Sequence, residues 1–317
     1  MSKIITVVGA TGTQGGSVVS ALQKDTTYKI RAITRNPTSD LAKSLQSKGI
    51  EVVQADADDL PSLIQAFSGS HAIFAVSDFV APFAAGGPDH AVEVESQQGI
   101  NLAKAASATA TLQHYVWSTL PNSKTISGGR IVVPHFESKN LVDDYIKSDA
   151  ELLAKTTFFM PGFYADNYLF PMLTPIPVPG TGDYMQLNCT GPDIPIATVG
   201  HAKNNIGLFV RAILENSDRT LRGNVVLGST GVISLGELLK TWGKVNGKQT
   251  HYVQTSRETY DALWPNWGEE MALMFGYFEL MGSQAWTGAE GGNVLKKDDL
   301  GVEDLLDAES YFKEVLL

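Results

Sequence analysis

Three glycines stand where a phosphate could be held. Gly9-Ala10-Thr11-Gly12-Thr13-Gln14-Gly15 follows directly on the apolar run Ile4-Ile5-Thr6-Val7-Val8 and leads through Gly16 into a helix-like segment. That spacing permits a tight turn, lets backbone approach a pyrophosphate, and packs the helix close to the strand, while N–H groups at the helix start face the anion. Gly9, Thr11, Gly12, Thr13, Gln14 and Gly15 are therefore candidates to bind a dinucleotide. The G-x-x-G-x-x-G spacing differs from the commoner G-x-G-x-x-G, and a glycine turn with a purely structural role is the alternative. About 20 positions past the loop, a carboxylate would bind a ribose 2′-hydroxyl and repel a 2′-phosphate. Here the position is Arg35, with Asn36 beside it, Arg31 nearby and no carboxylate before Asp40. This favours NADP(H) over NAD(H), unless Arg35 only solvates the strand end. Asp56-Ala57-Asp58-Asp59 follows the next apolar run; Asp56 and Ala57 are candidates to meet the adenine, and the same run can cap the helix near Pro61. Ala75, Val76 and Ser77 close a fourth run, at the edge where open α/β sheets bind ligands.

Positioning these groups requires a regular frame. Strand-like runs at 4–8, 30–34, 52–55, 72–76 and 114–118 are short, β-branched or aromatic, and the helix-like segments 17–24, 39–48, 61–67 and 92–106 connect them. Connectors of that length suit parallel crossovers, so the first 155 residues read as a doubly wound parallel sheet. Beyond them the alternation becomes irregular. Residues 158–161 look like one more buried strand, whereas six prolines between Pro171 and Pro195 predict loop and edge. Residues 198–215 read as helix, 224–228 as strand, and Ser234 as the N-cap of a helix stopped at Asn246-Gly247. Trp264, Trp267, Phe275, Tyr277, Phe278 and Trp286 crowd one segment; an apolar pocket wall, a plain core or a dimer face would each use them. The expected class is α/β, a doubly wound parallel sheet with a smaller, interleaved α/β C-terminal lobe.

Composition sets outer bounds. The 317 residues are 43% hydrophobic and 18% charged, with a formal charge of -10 and a pI near 5.1, a field that repels phosphate backbones and anionic lipid. Direct nucleic-acid binding and membrane binding are not expected. Cys189 is the only cysteine, so no internal disulfide or thiol-only zinc site can form, and the six histidines lack metal-ligand spacing. No metal is expected. The short apolar stretch before Gly9 is no signal peptide, and no run approaches the ~18 apolar residues of a membrane span, which predicts a soluble, cytoplasmic protein.

Several segments together resemble one family. The glycine loop, Ile33-Thr34-Arg35-Asn36-Pro37, Asp56-Ala57-Asp58-Asp59, Val116-Trp117-Ser118-Thr119-Leu120, His135-Phe136-Glu137-Ser138-Lys139 and Pro161-Gly162-Phe163-Tyr164-Ala165-Asp166-Asn167 are similar to those of the NmrA-like family of atypical short-chain dehydrogenases/reductases. The resemblance implies an NAD(P)-binding Rossmann domain, here 1–155, and a substrate or partner lobe over 156–317. From that lobe a strand near 157–161 and parts of 198–228 would return to the first domain. It also implies that Pro161, Phe163, Tyr164 and Asn167 border the nicotinamide. Ordinary superfamily members carry Tyr-x-x-x-Lys on one helical face; here the pair is His135 and Lys139. Lys139 carries over as the ribose-binding residue, but the acid does not carry over unchanged. His135 could donate a proton as the imidazolium, which a lysine charge one turn away would disfavour, or it simply packs at the helix start. Ser118 matches the serine that orients a carbonyl, or it is a strand-end polar cap. Tyr164 and Tyr168 offer phenols near the sheet edge, and Tyr164, in the segment whose family counterparts border the nicotinamide, is an alternative acid or a pocket wall.

The resemblance implies one of two functions. In the first, an NADPH-dependent reductase transfers hydride to a bulky ketone, imine or activated alkene without the usual tyrosine. In the second, a catalytically silent NADP(H) redox sensor acts through a protein partner. A scaffold with a decayed site fits the intact loop and Lys139 poorly, and either a monomer or a homodimer is compatible with the sequence.

Overall fold

The computed structural model describes residues 3–23, 26–288 and 293–315; Lys24, at the end of the first expected helix, lies outside them. In the N-terminal half, β1 (Lys3–Val7), β2 (Tyr28–Thr34), β3 (Glu51–Gln54), β4 (Ala72–Ala75) and β5 (His114–Ser118) alternate with α1 (Thr13–Leu22), α2 (Asp40–Ser47), α3 (Leu60–Phe67) and α4 (Val80–Ser107). Next come α5 (Ser123–Ile126), α6 (Pro134–Ser148), α7 (Ala150–Ala154), β6 (Thr156–Pro161), β7 (Phe163–Tyr164), β8 (Ile176–Pro177), β9 (Tyr184–Asn188) and β10 (Pro195–Gly200). The remainder comprises α8 (Ala202–Glu215), α9 (Ser217–Thr220), β11 (Asn224–Gly228), β12 (Gly231–Ser234), α10 (Leu235–Asn246), β13 (Thr250–Gln254), α11 (Arg257–Leu263), α12 (Trp267–Met281), β14 (Val294–Leu295), α13 (Lys297–Leu300) and α14 (Ala308–Glu314).

Among the described residues the large sheet has eight strands in the order β14-β11-β6-β5-β4-β1-β2-β3, with every neighbouring pair parallel. The order reverses between β1 and β4. Crossovers leave to opposite faces there, and the carboxyl ends of the strands open into a crevice. β4 and β5 are buried along their whole length, as central strands covered on both faces must be. One face carries α1 and α8, so close that a Cβ on Gly207 would stand 2.1 Å from the Ser17 carbonyl oxygen. Leu63, Phe67, Leu102, Ala106, Val142 and Ile146, from α3, α4 and α6, cover the other. The fold is the expected α/β doubly wound sheet, with β6, β11 and β14 added from the second half of the chain.

Two three-stranded sheets, β12-β10-β7 and β13-β9-β8, accompany it. With α10, α11, α12 and α14 they enclose a core that includes Phe136, Leu238, Tyr260, Phe275, Tyr277, Phe278, Tyr311 and Phe312. Ser234 caps α10 in a reciprocal box with Glu237, and Gly247 ends it at φ 62°. No helix among the described residues is long and apolar enough to cross a membrane.

Three local expectations are corrected. α1 starts at Thr13, not Ser17, because Gly12 adopts the extended N-cap conformation. The helix expected over 92–106 belongs to α4, which runs back to Val80 and is broken at Gly87 (φ 79°), just before Pro88, which has no N–H to donate. Residues 198–200 are strand: Thr198 pairs with β12 and β7, and its hydroxyl donates to the Phe163 carbonyl at 2.8 Å. The proline-rich stretch also holds β9, which pairs in parallel with β13.

Candidate active site

The crevice at the carboxyl ends of β1 and β4 is a cleft of about 820 Å³. Its floor is the glycine loop. Gly9 turns at φ 67°, and a Cβ on Gly15 would stand 2.3 Å from the Gly9 carbonyl oxygen, so only glycine lets α1 begin this close to β1. Gly12 caps α1 without any side-chain hydrogen bond, which leaves first-turn N–H donors for an anion. From the loop the cleft runs past Arg35, Asn36, Asp56 and Ala57 at one end, and past Val76, Ser77, Ser118, His135, Lys139, Pro161 and Tyr164 at the other. That volume and donor set fit a dinucleotide.

The cations differ in what they are free to do. Arg31 is engaged away from any phosphate, on Glu51 at 3.0 Å and the Ala66 and Ser68 carbonyls at 2.9 and 2.7 Å. Arg35 is exposed, and its guanidinium makes no hydrogen bond among the described residues. Lys139 is buried, and its Nζ donates to Glu95 Oε1 at 2.8 Å and Ser77 Oγ at 3.0 Å. Glu95 is fully buried and also accepts from Ser77 and Ser138. The ammonium therefore keeps one N–H for a ligand, but its charge is compensated within the fold.

At the far end of the cleft, Ser118 donates to Gln14 Oε1 at 2.8 Å. Burial pushes the Tyr164 phenol above its usual range, and the Asp166 carboxylate pushes it further, against a hydrogen bond from Gln14. His135 sits in the first turn of α6, whose N-cap, Val133, offers no side-chain bond. Glu270 Oε1 accepts from the His135 backbone N–H at 3.2 Å and bonds Nδ1 of its ring. Behind the site, Asp143 Oδ1 accepts from Trp117 Nε1 and Asp143 Oδ2 from Thr119 Oγ1, both at 2.8 Å, tying α6 to β5.

Next to the cleft lies a second cavity of about 210 Å³. Phe136, Phe163, Trp267, Met271, Met274 and Phe278 are part of its apolar wall, with Asn167 among its few polar groups. Phe79, Val80, Leu120, His135, Pro161 and Tyr164 line both cavities, so the two meet at these residues.

Most residues singled out in the sequence line one cavity or the other, with clear exceptions. Ala75 is fully buried and lines neither, because β4 is an interior strand. Phe163 and Asn167 face the apolar chamber and not the cleft. Tyr168 packs against Phe312 in the lobe core, ring centroids 5.1 Å apart. In the aromatic segment, Trp267, Phe278 and Trp286 are chamber wall, whereas Phe275 and Tyr277 are core. Glu95, Glu270 and Phe79 were missed, since carboxylates and a phenylalanine at those positions carry no local signal of a site.

The model of the NmrA-like family matches residues 1–303. The NmrA-like family domain-containing oxidoreductase FrzB of Cladobotryum sp. is 30% identical over 298 residues, which are 90% of this chain and 86% of the relative. The negative transcriptional regulator NmrA in complex with NADP has a TM-score of 0.75 at 21% identity, over 99% of this chain and 95% of its own; it is also solved with NAD. Citrobacter sp. triphenylmethane reductase complexed with NADP(H) has a TM-score of 0.68 at 20% identity, over 99% of this chain and all of its own. At such identities these structures share the fold.

Proposed function

The chain belongs to the NmrA-like family, and from that premise we propose that it is an NADP(H)-dependent reductase of a bulky ketone, imine or activated alkene. The observation that carries this reading is the meeting of a polar, dinucleotide-sized cleft with an apolar chamber at His135 and Tyr164. A bound reduced nicotinamide supplies the hydride. The chain's own residues hold, orient and shield. Backbone N–H groups of Thr13, Gln14 and Gly15 in the first turn of α1 would hold the pyrophosphate, with Gly9, Thr11 and Gly12 shaping the turn that brings it close, Gly12 through its own N–H to the Gly9 carbonyl; Asp56 and Ala57 border the adenine, and Val76 and Ser77 flank the middle of the cleft. Arg35, the cleft cation without a carboxylate partner, takes the 2′-phosphate with Asn36 and favours NADP(H). Lys139 uses its remaining N–H on the ribose, and Pro161 flanks the nicotinamide end.

At the junction of the two cavities His135 supplies the proton, while Ser118, on the cleft side and with its own proton given to Gln14, helps to orient the substrate through its oxygen. Tyr164 serves as wall, because a phenol pushed above its usual range is a weaker donor. Residues 1–155 with the returning elements form the cofactor unit, and the lobe supplies the chamber. At about 210 Å³ the chamber is below the roughly 300–1,000 Å³ of a drug-sized site, so it receives the reacting end of the substrate, for which three methionines give an adaptable wall. NADPH oxidation by fully loaded protein across a panel of aromatic ketones, imines and activated alkenes tests the reading, with Lys139→Ala as control. No turnover above background ends it.

One observation favours a second reading. Lys139, the cation that would activate an acid at this site, is compensated inside the protein by Glu95, as in a site built to bind and not to react. A redox sensor signalling to a protein partner would discriminate NADPH from NADP⁺ at least about tenfold and show no substrate-dependent turnover.

A further inference from the structure

We propose that Glu270 is the positioning residue of a His135–Glu270 dyad assembled between α6 and α12, which makes Nε2 the atom of His135 that exchanges a proton at the junction of the two cavities. The assignment deepens the reductase reading and rests on it for the use of that proton. Its starting point is a misfit. α12 buries Met271, Ala272, Met274, Phe275, Tyr277 and Phe278, yet among them lies Glu270, only 2% exposed. A carboxylate taken from water is strongly destabilising unless it is compensated. Among the described residues the compensation comes from one residue, far away in sequence: the backbone N–H and the ring of His135.

Chemistry then settles the ring. An ionised carboxylate only accepts, so Nδ1 carries the proton. Nε2 makes no hydrogen bond among the described residues, and the ring forms part of the wall of both cavities. Phe79 and Phe136 pack on it at centroid distances of 5.7 and 4.6 Å, limiting its rotation. The charge of Lys139 one turn along, expected to oppose a cationic ring, is held by Glu95. The proton balance closes. The imidazolium donates Nδ1–H to Glu270 and Nε2–H to the substrate heteroatom; as the substrate carbon gains hydride, the N–H bond at Nε2 breaks and its electron pair stays on the ring. What remains is the neutral Nδ1–H tautomer, already paired with Glu270. Glu270 never takes the proton.

The test is nitrogen NMR of the His135 ring in the NADP⁺-loaded protein, with Glu270→Leu and Glu270→Gln. Nδ1 is expected to be protonated in the wild type, and Glu270→Leu to redistribute the proton toward Nε2. A neutral Nε2–H tautomer in the wild type, or ring resonances that ignore Glu270→Leu, overturns the assignment. With a substrate from the panel, Glu270→Leu should lower kcat at least about tenfold with KM nearly constant, and Glu270→Gln, which keeps an acceptor, should restore much of it. An unchanged kcat in Glu270→Leu overturns the proton role. If Glu270→Leu does not fold, Glu270→Gln decides: Nδ1 stays protonated and kcat falls a few-fold, whereas loss of the Nδ1 proton or an unchanged kcat counts against the dyad. Ring spectra as expected, without turnover of any substrate, bring down the reductase reading and leave the dyad standing.

Discussion

The two cavities that meet at His135 are built by opposite means. The cleft is made from backbone: a glycine loop, the start of α1 and the carboxyl ends of parallel strands. The chamber is made from side chains that α6, the segment after β6, the 170s and α12 bring from distant parts of the chain. Backbone donors recognise what all dinucleotides share, so they tolerate little change. Apolar walls recognise shape, and volume-conserving exchanges cost them little. The cleft should therefore be rigid in its chemistry and the chamber open to variation.

Breaking the buried pair beneath the cleft should have the largest effect. Lys139→Ala leaves Glu95 charged, 0% exposed and without its cation, which should cost about 3–5 kcal/mol of stability in urea unfolding. Adding Glu95→Gln should recover part of it, and failure to do so would mean that the pair is not the source. Gly15→Ala comes next, because its Cβ would stand 2.3 Å from the Gly9 carbonyl oxygen; calorimetry should show NADPH affinity down at least about 100-fold. Fluorescence of an apolar dye in the chamber should be unchanged, and loss of both signals would show that the cavities are not independent. The mirror experiment is Met274→Trp, which fills the chamber. Substrate KM should rise about tenfold while NADPH affinity stays within about twofold. Arg35→Ala should narrow the preference for NADPH over NADH by roughly five- to tenfold without touching turnover at saturation.

The smallest effect concerns the strut behind both cavities. Burial pushes the Asp143 carboxyl up to about 7, against the hydrogen bonds of Thr119 and Trp117 and the charge of Lys147. Because its folded value is raised, the contribution of this group to stability is present below about pH 4 and is lost as pH rises through about 7. Asp143→Asn should remove that slope from the difference between the two proteins' melting curves. An identical pH dependence would place the strut's titration elsewhere.

How much of this was written locally varies by element. The strands near residues 4–8, 30–34, 72–76 and 114–118 could be read because β-branched runs between turn signals are a short-range pattern. The same holds for the turn of the loop, which depends on glycine spacing, whereas Lys139 was singled out through the family resemblance, helical spacing adding only that it shares a face with His135. The boundary at 198–200 was not legible, since Thr198 is apolar enough in its surroundings to suit either element and only pairing with β12 and β7 makes it strand. Nor could spacing foretell that Ala75 would be sealed inside the sheet or that Tyr168 would join the lobe core.

By itself, the sequence determined an acidic α/β chain with a three-glycine loop after its first strand, an arginine where a carboxylate would exclude a 2′-phosphate, and a histidine where the resemblance expects a tyrosine. The tertiary structure decided which charges those groups live with. Lys139 meets Glu95 across 44 positions and His135 meets Glu270 across 135. Local propensity acts over a few residues, whereas a buried ion pair exists only where packing has already removed water from both partners. Which partner the His135 ring meets was therefore decided by a carboxylate on a helix near the other end of the chain.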